Sequence, residues 1–250
     1  MPSRYFDIMA HLAVQAAREP TWWYYADYCK SRAKELKDRS SLRAVQFSRA
    51  ALEWSFDDRK KFCIWCMHWG SWARENYGHS KYESRFTPGG RGLIEPRIMI
   101  VTVLIPTLIE WRDQEPDDPE PHYWLALYDH SKHPAPGFRE AIRLDPAFGP
   151  ARAALAEHIA KYIKGNQHDV PTRYMGTPAE DLADLAEASK LLTPAVEAPA
   201  RASLRKQIAT LHGVAEDWLK LRTRLVEIED QEARLEVWRS RSPPAKPKGS

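Results

Sequence analysis

Apolar residues recur along most of this chain at intervals of three and four, the spacing of a buried helical face, and strand-like alternation is nearly absent. The pattern predicts an all-α protein. In a first helix over residues 5–18, Tyr5, Ile8 and Leu12 share one face. A second is expected after Pro20, with Thr21 as N-cap for "WWYYADYCKSRAKELK". A third should be capped by Ser40 or Ser41 and bury Leu42, Val45, Phe47, Ala50 and Trp54. Ser55 or Asp57 starts a fourth, in which Phe62, Trp65, Cys66, Trp69 and Trp72 make one aromatic stripe.

Residues 76–92 hold four glycines, a proline and no periodicity, so they read as a loop and as the best boundary between domains. Pro96 suits the start of a helix running to about Gln114, kinked at Pro106. The β-branched run Ile98, Ile100, Val101, Thr102, Val103 keeps a short buried strand as the competing reading. "EPDDPEP" is a stop and a turn. Helices then read over 120–130, 136–144, 149–163 and 178–192. A long C-terminal one over about 200–237 carries Leu204, Ile208, Leu211, Val214, Trp218, Leu221, Leu225, Ile228 and Leu235. This gives an aromatic-rich helical region at 1–80, a second helical region at 93–237, and a proline-rich basic tail at 238–250 whose composition predicts disorder.

Composition narrows the class. The 250 residues are 43% hydrophobic and include ten Trp, ten Tyr and seven Phe, enough for a sizeable core rich in large rings. A net charge of +3 supplies no strong long-range field and by itself names neither nucleic acid nor anionic lipid as partner. Three cysteines, few and odd in number, argue against a disulfide framework and for a reducing compartment. The N-terminus lacks the layout of a signal peptide. The most apolar window, "IMIVTVLI", falls well short of the ~20 residues of a membrane span. A soluble cytoplasmic protein is the expectation.

Candidate chemistry is thin. In "CIWCMHW", Cys63, Cys66 and His68 sit close together, but mid-helix between tryptophans, where thiols are core residues rather than redox or zinc ligands. His122, His130, His133, His158 and His168 lack metal-ligand spacing and read as surface residues. "PGGRG" lacks the Lys-Ser/Thr of a phosphate loop and reads as a turn. With no nucleophile elbow and no paired carboxylates, no catalytic residue, metal or cofactor is expected, and an enzyme would have to use unrecognised machinery. "WWYY" near "KSRAKELKDR" mixes stacking rings with positive charge, so single-stranded nucleic-acid binding stands as an alternative.

The stretch "GFREAIRLDPAFGPARAALAEHIAKYI" joins two short amphipathic helices through Leu144-Asp145-Pro146. Phe138, Ala141 and Pro146 resemble the second helix of a tetratricopeptide repeat and its terminal proline. Leu155, Ala156 and Ile159 then match the Leu, Gly and Tyr positions of the next unit, and Leu125-Ala126 the Leu-Gly pair of the preceding one. The match covers about residues 120–194, with departures. The two Leu-Ala pairs are 30 residues apart rather than 34, Pro134 stands at an Ala position, Arg152 replaces the Trp, and "GNQHDVPTRYMGTP" is inserted before "AEDLADLAEASKLL". The resemblance implies antiparallel helix pairs that bind a protein or peptide in a groove lined by the first helix of each unit. The groove residues it implies are Tyr123, Leu127 and His130 in one unit and Ala153, Glu157 and Lys161 in the next. Tyr123 and Leu127 have core positions as their other reading. A compact, ring-rich chain of this kind suits a bacterial accessory protein, an immunity protein or chaperone that sequesters a toxin or effector.

Overall fold

The structure is a computed structural model that describes residues 4–34, 37–77, 97–129, 133–228 and 230–240. Every regular element among the described residues is helical. The chain divides into two compact units, Met1–Gly137 and Phe138–Ser250.

In the first unit α1 (Arg4–Ala16) buries Ile8, Met9, Leu12 and Ala16. Thr21 is not a cap: a 3-10 turn over Pro20–Trp22 opens with the Trp22 amide bonded to the Glu19 carbonyl at 3.0 Å, and α2 (Trp23–Ala33) follows. Proline presets the helical φ and has no donor to lose, so the turn begins at Pro20 itself. α3 (Lys37–Leu52) starts ahead of both expected caps, and Ser40 is buried within it. Its inward row is Ser40, Ala44, Phe47, Ser48 and Ala51, which leaves Leu42 57% exposed instead of buried. Ser55 does cap α4 (Phe56–Tyr77). Its hydroxyl accepts the Asp58 amide at 3.2 Å, as an N-cap does, and donates to the Asp58 carboxylate at 2.7 Å.

Phe62 and Cys66 of the α4 stripe enter the core of this unit, with Trp65 and Trp69 half-buried beside them. The fully buried ring of Phe62 lies 4.7 Å from Phe47, 5.2 Å from Tyr25 and 5.3 Å from Trp22, mostly tilted or edge-on as ring quadrupoles prefer. Helix α5 resolves the strand-or-helix question. It is α over Arg97–Met99, π over Ile100–Leu104 and α again over Ile105–Gln114. The wide turn falls just before Pro106, whose missing N–H breaks the ordinary ladder. The amide of Ile105 reaches back to the Ile100 carbonyl, and the hydroxyls of Thr102 and Thr107 donate to the Ile98 and Val103 carbonyls, each at 2.6 Å. The β-branched run is therefore accommodated inside a helix. Arg59–Glu110 at 2.6 Å and Lys60–Glu115 at 2.5 Å tie α4 to α5. Asp118 caps α6 (Pro119–Tyr128), accepting the Glu120 amide at 2.9 Å.

Helix α7 (Ala135–Leu144) spans the boundary between the units, and within the first of them Gly137 comes so near α6 that a Cβ would stand 2.8 Å from that of Ala126. In the second unit α8 (Gly149–Asn166), α9 (Pro178–Leu191) and α10 (Ala198–Val226) pack mutually. Leu155, Ala156, Ile159, Ala160 and Ile163 face Leu185 and Ala188 and Leu204, Ile208 and Leu211 across this core. The expected single C-terminal helix is two. Asp230 accepts the Ala233 amide at 2.7 Å and starts α11 (Gln231–Arg239) afresh. Trp218, Leu225 and Trp238 bring the two pieces into one apolar cluster with Val170 and Tyr174.

Candidate interaction surface

The proposed groove residues fall on both units. Tyr123 is 6% exposed, a buried ring 4.9 Å from that of Trp124, and Leu127 is half-buried on the same helix. His130 lies outside the described residues. On α8, Ala153 is half-buried while Glu157 and Lys161 are exposed, and their spacing of four puts the three in one row along the helix. Tyr162, 61% exposed, lies half a turn round the helix from Ala153.

The start of α8 explains how this row is held. Asp145 ends the preceding helix and folds its own side chain onto the chain beyond, accepting the Ala147 amide at 2.8 Å. Gly149 then comes so close to the connection after α9 that a Cβ would lie 2.0 Å from the Ala195 carbonyl oxygen. Arg152, at the position where the repeat pattern has Trp, spends its guanidinium on carbonyls. It donates to Leu191 at 2.9 Å, Lys190 at 3.0 Å and Pro146 at 3.0 Å. Arg205 adds a bond to the Leu192 carbonyl and Arg201 one to Thr193, each at 3.2 Å. Three arginines thus add side-chain donors to the carbonyls at and just beyond the end of α9, two of which also accept backbone amides, and their positive charge meets the negative pole of the helix.

The far end of α8 is fixed by the segment expected to be an insertion. Asp181, 3% exposed on α9, accepts from Asn166 at 3.0 and 3.2 Å and from the Tyr174 hydroxyl at 2.7 Å. Gln167 donates to Tyr174 at 3.1 Å and to the Leu211 carbonyl at 2.9 Å. Burial raises the Tyr174 pKa and Asp181 raises it further, against the opposing bond from Gln167, so the phenol stays protonated as the donor. Sequence reading did not single out Arg152, Asp181 or Tyr174 as site-forming. The only signals were the charged residue at an apolar repeat position and the Asn-Gln pair closing a helix.

Cys63 and Cys66 are buried in the ring core of the first unit, whereas His68 is on the exposed side of α4, so the three do not converge. Among the described residues no group of three or more His, Cys, Asp or Glu is placed to hold a metal ion, and no helix is long and apolar enough to cross a membrane.

A second exposed constellation lies on α2 and α3. Trp23, 49% exposed, is stacked 4.0 Å from Tyr24, and the Arg43 guanidinium lies 5.2 Å from the Trp23 ring and 5.7 Å from Tyr24. Asp27 anchors it, accepting from Arg43 Nε at 2.6 Å and from Arg39 at 3.1 Å through both oxygens. Burial alone would raise the Asp27 pKa. The bonds and charges of Arg39 and Arg43 outweigh it and hold the carboxyl below its ordinary 3.8.

No family model, curated protein or solved structure matches the chain.

Proposed function

We propose that this chain is a non-enzymatic protein-interaction module of tetratricopeptide-like build, with the outer row of α8 as its recognition face for a protein or peptide. One observation carries the reading: α8 spends Leu155, Ala156, Ile159, Ala160 and Ile163 on its buried face and turns Glu157 and Lys161 the other way, with half-buried Ala153 on one flank and exposed Tyr162 on the other. A small residue, two opposite charges and a ring on one rigid helix suit the reading of a partner helix or extended peptide. The arginine-held end of α9 and the Asp181 network fix α8 beforehand, so binding need not order it. Residues Tyr123 and Leu127 enter this reading as support for the fold of their helix. The narrower version, a bacterial immunity-type or chaperone-type accessory protein, draws on the two compact helical units and the ring-rich core of the first.

Combined Glu157→Lys and Lys161→Glu should leave the helical circular dichroism unchanged and abolish co-purification of the partner that wild type retains. Retention of that partner by the reversed variant would remove α8 from the interface, and loss of helical signal would assign the pair to folding.

A further inference from the structure

We propose that the α2–α3 face is a second interaction surface, independent of α8, and that it takes single-stranded nucleic acid. Whole-chain charge conceals it. Residues 23–52 hold seven Lys and Arg against three Asp and Glu, a net of +4, while the whole chain is only +3, so the remainder is slightly acidic. On this basic segment one ring, Trp23, is turned outward, while Tyr25, Tyr28 and Phe47 are buried. Trp23 is half-exposed, packed flat on Tyr24, and oriented by Arg43, which Asp27 in turn pins. A ring fixed in that way offers its free side to an unpaired base with little left to order. Lys30 and Lys34, seven and eleven residues beyond Trp23 and so on its side of α2 and its end, are exposed. Cations flanking a stacking platform match a phosphate backbone running past splayed bases. A duplex hides its base faces from Trp23, and the Asp and Glu side chains of an acidic run carry no ring to stack on it.

The test is fluorescence anisotropy of the full chain with a labelled short oligothymidylate, titrated over a range of salt. Wild type should bind at low salt with affinity falling steeply as salt rises. Trp23→Ala should bind roughly 5- to 100-fold more weakly with the salt slope unchanged, the loss of about one stacked base. Changing Lys30 and Lys34 together to Gln should flatten the slope by about 0.7 for each phosphate that is no longer neutralised. Glu157→Lys with Lys161→Glu should bind as wild type, which keeps this result separate from that for α8. No binding at low salt overturns the proposal. So does a Trp23→Ala variant that binds normally, a duplex of equal length bound as tightly, or polyglutamate bound with the same dependence on Trp23.

Discussion

Two glycines on one helix make opposite predictions. At Gly149 a Cβ would stand 2.0 Å from the Ala195 carbonyl oxygen and 2.8 Å from its carbon. A relaxed carbon-to-oxygen contact is about 3.3 Å or more, so the alanine must push backbone from backbone by over ~1 Å. No side chain can rotate away. Overpacking a tight site costs typically about 1–3 kcal/mol, and a clash confined to main chain belongs at the upper end. For a body of this size about 3 kcal/mol is a fall of roughly 6–12 °C in Tm. At Gly165, near the other end of α8, a Cβ meets nothing within 4 Å. There alanine relieves the entropy that glycine loses in a helix and should stabilise by about 0.4–1 kcal/mol. Thermal and urea unfolding of Gly149→Ala and Gly165→Ala, followed at 222 nm where helices absorb, decide it. A Gly149→Ala protein as stable as wild type would refute the close approach of α8 to the connection after α9, and with it the account of how the α8 row is positioned.

Tyr174→Phe keeps the ring beside Trp218 but leaves Asp181 with Asn166 alone, and should cost about 1–2 kcal/mol in urea unfolding. Arg152→Met removes three bonds to carbonyls from a partly exposed guanidinium. It should cost about 1–2 kcal/mol and accelerate hydrogen exchange at the end of α9 before that of α10. The Asp27 carboxyl titrates below its ordinary value in the folded chain, so its contribution is present above pH 3.8 and lost as pH falls through the folded value. Near-ultraviolet circular dichroism on acid titration should therefore show stability falling less steeply below pH 4 in Asp27→Asn than in wild type, from a lower starting level.

Much of the helix plan between residues 119 and 192 was legible because proline and aspartate mark its ends: Asp118-Pro119, Asp145-Pro146 and Thr177-Pro178 all lie at helix boundaries. The break between α10 and α11 escaped because Leu225, Ile228 and Leu235 continue the apolar spacing through it. A cap at Asp230 needs one side-chain bond, and periodicity does not register it. Leu42 was misassigned for a related reason. The inward row of α3 is made of Ser40, Ala44 and Ser48 around Phe47, small and polar residues that a hydrophobic pattern discounts. The α8 row was readable because helical spacing alone aligns Ala153, Glu157 and Lys161. What fixes the row was not, since the Arg152 bonds and the Asp181 network join residues up to 44 positions apart.

The interaction reading is tested most directly by site-specific photocrosslinking in source cells, with a photoreactive residue at position 157, at 161, or at 206 on the exposed side of α10. Discrete adducts to the same protein from positions 157 and 161, with none from 206, are the predicted result. Position 206 yielding that adduct while 157 and 161 yield none would contradict it.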